Sequence, residues 1–119
     1  MPELPEVEIA SRNLQRWTGG RLLRAVQTPD QARFEGDAAA LAGARFEGWR
    51  RVGKYLVATF EGGQALLSHL GMTGQWVADP PEDRPHQRVV LELEGSGPSR
   101  IALVDPRRFG WTWILASSE

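Results

Sequence analysis

The chain predicts a mixed, mainly β fold: an antiparallel β-sandwich of about eight short strands with a packed N-terminal helix and a second short helix. Three observations carry this expectation. Short β-rich runs separated by close turn signals recur from Leu22 onward. Only the first stretch shows sustained helical spacing of apolar residues. The 119 residues, 41% of them apolar, suffice for one core and are too few for two, so residues 1–119 are read as a single domain.

Val7, Ala10, Leu14 and Trp17 fall at helical spacing between Glu3 and Trp17, and Gly19-Gly20 stands where a C-cap would end the helix. Leu22 to Thr28 reads as a strand, and Asp37 to Ala42 as a short helix with Asp37 as its cap. Strands follow at Arg45 to Val52, Tyr55 to Phe60, Gln64 to Leu70, Gln75 to Ala78, Arg88 to Glu94, Arg100 to Val104 and Trp111 to Leu115. Glu61-Gly62-Gly63 is a hairpin turn, and the polar, proline-rich Asp79 to Pro85 an exposed loop. Ala116 to Glu119 follow the last strand without a closing element.

Composition narrows the function classes. No apolar run approaches the ~18 residues of a membrane span and the start lacks the form of a signal peptide, so the expected location is the cytoplasm. The chain has no cysteine and two histidines, which excludes disulfides and thiolate metal sites within it. A net charge of −1 makes no global electrostatic case for nucleic acid. Basic residues nevertheless gather at Arg50-Arg51-x-x-Lys54, between Arg84 and Arg88, and at Arg107-Arg108, where a single basic face could draw on all three.

Four segments carry chemistry. Once Met1 is removed, Pro2 presents a free secondary amine beside the Glu3 carboxylate. An N-terminal amine has a reference pKa of about 7.7–8.0, against about 10.4 for lysine, so it supplies a neutral nucleophile near pH 7. Attack on an aldehyde gives an iminium ion, and Glu3 is within reach to move the protons. The same residues also suit an ordinary helix start. Lys54, before the apolar strand Leu56-Val57-Ala58, reads either as a solvated strand-end lysine or as a cation for a phosphate or a proton transfer.

Met72, between Gly71 and Gly74, projects from a loop as a wedge for stacked bases, or fills a gap beneath it. His69 is a phosphate donor or a hydrogen-bonded structural histidine. In Asp105-Pro106-Arg107-Arg108-Phe109-Gly110 two arginine forks and an aromatic face share one turn, suited to phosphates, base edges or insertion into a stack, or simply solvated.

Together the strings PELPEVE at Pro2 to Glu8, GKYL at Gly53 to Leu56, SHLGMTG at Ser68 to Gly74 and DPRRFG at Asp105 to Gly110 resemble, in order and spacing, one family over essentially the whole chain. That family is the formamidopyrimidine-DNA glycosylases, bifunctional base-excision enzymes related to the endonuclease VIII group. The resemblance implies excision of oxidised purines such as 8-oxoguanine and formamidopyrimidines, followed by β,δ-elimination at the abasic site. It implies Pro2 as the Schiff-base nucleophile, Glu3 as acid and base, and Lys54 as the lysine of β-elimination and phosphate contact. It further implies that His69 and His86 contact DNA, that Met72, Arg107 and Phe109 enter the duplex, and that Arg108 supports them. The implied partner is double-stranded DNA with an oxidised base or abasic site, bound by a monomer and without a membrane.

Two departures qualify the match. Where the family often has a second histidine, two residues after His86, this chain has Arg88. Family members resemble two-domain proteins whose second half holds a helix-two-turn-helix unit and a zinc finger. This chain is expected to carry only the first half, with no metal or cofactor of its own and weak or no activity alone. The alternatives are an endonuclease VIII-like enzyme for oxidised pyrimidines and a non-catalytic DNA-binding or interaction module of the same fold.

Overall fold

The computed structural model describes residues 4–27, 34–107 and 110–115. Helix α1 covers Leu4–Trp17. Its buried stripe is Val7, Ser11 and Leu14, continued by Thr18 beyond the helix end. At ~100° per residue these four lie closer together than the expected set with Ala10 and Trp17, which flank the stripe half-buried against the core. The predicted glycine C-cap is corrected: neither Gly19 nor Gly20 takes a positive φ. Thr18 ends the helix instead, its N–H and hydroxyl both donating to the Leu14 carbonyl at 3.1 and 2.7 Å.

Nine strands follow among the described residues: β1 Arg21–Gln27, β2 Phe34–Glu35, β3 Phe46–Val52, β4 Tyr55–Phe60, β5 Ala65–His69, β6 Gln75–Ala78, β7 Gln87–Glu94, β8 Arg100–Val104 and β9 Trp111–Leu115. The expected short helix is a 3-10 helix, Ala38–Leu41, with Asp37 accepting from the Ala39 N–H at 2.9 Å. One sheet has the order β1-β7-β8-β6 and the other β2-β9-β5-β4-β3. All pairs are antiparallel except β2 with β9, a parallel pair absent from the sequence expectation because two residues are too short to leave an alternating pattern.

The sheets face each other as a sandwich. Leu56, Ala58, Phe60 and Leu66 point inward from one, Val89, Leu91, Ile101 and Leu103 from the other, and all are 0–1% exposed. The open sides are closed by the helices: α1 lies against the edge strands β3 and β6, and the 3-10 helix against β1 and β9. Under α1, Trp49 and Trp76 meet edge to face at 6.2 Å across the two sheets. The Gln15 side chain accepts the Trp49 N–H at 2.6 Å, which satisfies a donor on edge strand β3.

Two connections shape one end of the sandwich. Gly53 and Lys54 form the β3–β4 turn, with Val52 paired to Tyr55 and Gly53 at φ +61, the value a type II′ turn requires of its first central residue. The 79–86 loop is exposed, as expected, apart from buried Pro80. It is also pinned: Gln87 Nε2 donates to the carbonyls of Pro81, Glu82 and Arg84 at 2.9–3.2 Å, and Arg100 donates to the Pro80 carbonyl and to Gln87 Oε1.

Candidate functional site

Strand register brings the candidate residues to one end of the sandwich. In the five-stranded sheet the terminal rung is Tyr55–His69–Trp111. In the other it is Gln75–Val104–Gln87. Lys54 immediately precedes the first rung, and Met72 lies on the connection from His69 to Gln75. His86 immediately precedes Gln87, and Arg107 lies on the connection from Val104 to Trp111. Residues up to 53 positions apart in sequence therefore crowd one rim because both sheets terminate there. Pro2, Glu3, Arg108 and Phe109 lie outside the described residues.

The first turns of α1 reach the same rim. Glu8 Oε1 accepts from Arg51 Nε at 2.8 Å, and Arg51 Nη1 donates to the Gly53 carbonyl at 3.1 Å, so α1 is tied to the turn that carries Lys54. The Arg51 hydrogen bond holds the Glu8 carboxyl below its ordinary pKa, against a smaller opposing effect of desolvation. A cleft of about 370 Å³ opens between α1, at Glu6, Ile9 and Asn13, and the Met72–Trp76 stretch. Met72 is 46% exposed at its edge and so projects from its loop. The buried Trp76 indole anchors this stretch by donating to Ser68 Oγ at 3.0 Å.

His69 is held by a hydrogen bond, as its structural reading expects. Its Nδ1 accepts the Gly71 N–H at 3.1 Å, so the neutral ring carries its proton on Nε2. Its ring packs on Tyr55 with centroids 5.0 Å apart. Burial first, and then the charge of Lys54, lower its pKa below the usual histidine range. Protonation would place a second donor against the Gly71 N–H, so near pH 7 the residue is a neutral Nε2–H donor held in a fixed orientation.

Because its folded pKa is depressed, His69 binds fewer protons when folded. Its stability contribution is complete above the unfolded value of about 6.5 and is lost as pH falls from there through the folded pKa. Urea midpoints of the wild type are therefore expected to drop below those of His69→Gln across that interval, relative to their difference at pH 7.5. A constant difference between the two curves from pH 7.5 to 5 contradicts the assignment.

Arg88, where the resembling family has a histidine, is buried rather than presented to a ligand. Its Nε donates to the Asp105 carbonyl at 3.0 Å, and Nη2 lies 3.3 Å from His86 Nδ1. A guanidinium only donates, so this contact makes His86 Nδ1 the acceptor. His86 itself is exposed at φ +70. The basic face imagined from sequence is correspondingly thinner, since Arg51 and Arg88 serve structural bonds, while Arg107 is exposed at the rim.

Sequence reasoning missed Gln87 and Asp105, which hold loops together from buried or half-buried positions. Asp-Pro is a turn signal, but nothing in it announces a partner 32 residues away at Thr73. Among the described residues no three or more His, Cys, Asp or Glu side chains are grouped to hold a metal ion. Nor is any described helix long and apolar enough to cross a membrane.

This arrangement has relatives. The family described as formamidopyrimidine-DNA glycosylase N-terminal domain matches residues 1–112. A formamidopyrimidine-DNA glycosylase of a Nocardioides species is 45% identical over 126 aligned residues, covering 98% of this chain and 43% of that protein. The crystal structure of the MutM (Fpg) protein from Thermus thermophilus superimposes with a TM-score of 0.82 at 39% identity, covering 99% of this chain and 42% of that one. The Lactococcus lactis Fpg bound to DNA containing N7-benzyl-Fapy-dG gives a TM-score of 0.81 at 28% identity, over 96% of this chain and 44% of that chain. The chain thus spans less than half the length of the relatives it matches.

Proposed function

Since this chain belongs to the formamidopyrimidine-DNA glycosylase family and matches its N-terminal domain, we propose that it is the nucleophile-bearing domain of a base-excision glycosylase and AP lyase for oxidised purines. The substrate is double-stranded DNA carrying 8-oxoguanine, a formamidopyrimidine or an abasic site, met by a monomer in the cytoplasm. The observation that supports this reading best is the gathering of Lys54, His69, Met72, His86 and Arg107 on the rim reached by the first turns of α1.

Met1 removal frees the Pro2 nitrogen, which attacks the sugar C1′ as the bond to the damaged base breaks. Glu3 moves the protons that open the sugar ring, leaving an iminium between Pro2 and C1′. That electron sink acidifies the C2′ proton. Its removal expels the 3′-phosphate oxygen, and a second elimination expels the 5′-phosphate oxygen. Lys54 holds phosphate beside the reacting sugar, neutral His69 offers its Nε2–H to the backbone, and His86 also donates to it. Met72, Arg107 and Phe109 fill the space vacated by the flipped nucleotide, with Arg107 toward the orphaned base and Arg108 supporting the turn. No cofactor takes part within this domain, and the zinc of the family belongs to the half not represented in these 119 residues.

Base release from duplexes that each carry one lesion tests the assignment. Slow release from 8-oxoguanine and formamidopyrimidine duplexes is expected of this half alone, and Met72→Ala, an exposed change that spares the core, is expected to slow it about tenfold further. Release confined to oxidised pyrimidines identifies the endonuclease VIII type. Damaged-duplex binding with no product, and with no change when Pro2 is blocked, identifies a non-catalytic module.

A further inference from the structure

Asp105 is completely buried, and each of its polar atoms engages a different part of the rim. Oδ1 accepts the Thr73 hydroxyl at 2.8 Å and Oδ2 accepts the Gly110 N–H at 2.8 Å. Its own N–H donates to the His86 carbonyl at 2.9 Å, and its carbonyl accepts Arg88 Nε at 3.0 Å. Thr73 adjoins Met72, and its Oγ1 also faces the Arg107 N–H at 3.4 Å. Gly110 closes the turn that holds Arg107, and a Cβ there would press within 2.9 Å of both Asp105 Oδ2 and the His69 carbonyl.

A carboxylate is costly to remove from water, and a position that needed only a turn would leave it at the surface. Here both oxygens are consumed by donors from two separate loops, while the backbone of the same residue fixes a third. The methionine loop, the His86 turn and the arginine turn thus share one buried junction, and a shift at any of them must be absorbed by bonds to the other two.

We propose that Asp105, with Thr73, is a positioning residue that locks these three loops in fixed relation, so that Met72 and Arg107 meet the duplex as one unit. The purpose of the coupling rests on the function proposed above, whereas the coupling itself does not require DNA. Thr73→Val removes the hydroxyl without changing shape at an exposed site, Thr73→Ser restores it, and Asp105→Asn keeps the size of the junction.

In the free 119-residue chain, hydrogen exchange at the Gly110 amide is expected to accelerate at least about tenfold in Thr73→Val and to return to within about twofold of wild type in Thr73→Ser, although Thr73 does not bond Gly110. Asp105→Asn is expected to shift the Met72 methyl resonance. Unchanged Gly110 exchange in Thr73→Val, or no recovery in Thr73→Ser, overturns the coupling. A second readout uses a duplex with a tetrahydrofuran abasic analogue facing 2-aminopurine. The fluorescence rise at saturating wild-type protein is expected to fall at least about threefold in Thr73→Val and recover in Thr73→Ser. A full rise in Thr73→Val, despite faster exchange, overturns the positioning role. If wild type binds no such duplex, the glycosylase reading falls, and the coupling is decided by exchange alone.

Discussion

With Met1 removed, the chain is expected to leave a borohydride-trapped adduct on an abasic-site duplex at low salt; with its N-terminus blocked, it is expected to leave none. The loss should exceed about a thousandfold, because acylation delocalises the proline nitrogen lone pair into a peptide bond. No neighbouring residue can restore that lone pair. An unblocked Pro2 is a secondary amine with a reference pKa of about 7.7–8.0, so a substantial fraction is neutral at pH 7.5. Low salt matters because the contacts are to phosphate, and each one made steepens the fall of affinity with salt by about 0.9 in log–log slope. Intact mass establishes the state of the N-terminus in the same sample. An adduct of equal yield from the blocked chain would show that a different amine, Lys54 first among them, is the nucleophile.

Phe60→Ala is expected to destabilise the domain by about 3–5 kcal/mol, the range for removing a fully buried aromatic. Phe60 is 1% exposed, on the inner face of β4, and its ring lies 4.6 Å from that of Phe46 on β3. A domain of this size has a total stability on the order of 5–15 kcal/mol, so the change removes a large share of it. Guanidinium unfolding followed by tryptophan fluorescence measures it, with Val52→Ala on the same sheet as the contrast. Val52 is 52% exposed, and its truncation should stay within about 0.5 kcal/mol. Equal midpoints for the two variants would mean that the sandwich interior is not where the cohesion lies.

Most elements were legible because strand and helix periods are local properties of a sequence. Tyr55 to Phe60, an apolar run bounded by turn signals, forms β4 at the predicted bounds, as do Gln75 to Ala78, Arg100 to Val104 and Trp111 to Leu115 their own strands. Elsewhere the ends moved by a residue, as at β5 and β7, because alternation does not say where pairing stops. Strand β2 was illegible, since two residues hold no period, and its partner Thr112-Trp113 lies nearly eighty positions away. The helix face was half right. Val7 and Leu14 are buried as expected, but Ser11 and Thr18 share their stripe, and Thr18 is buried with its hydroxyl bonded locally to the Leu14 carbonyl.

The candidate site divides in the same way. Its chemical inventory follows from residue types and their immediate neighbours: a proline able to become a secondary amine, a lysine in a two-residue turn, an exposed methionine and an arginine turn. That Lys54, His69, Met72, His86 and Arg107 share one rim emerges only in three dimensions, from the register at which two sheets end. So does the inward turn of Arg88, and the joining by Asp105 of loops separated by more than thirty residues. A side chain's reactivity begins with its own atoms, whereas its burial, tautomer and partners are set by whatever the fold packs against it.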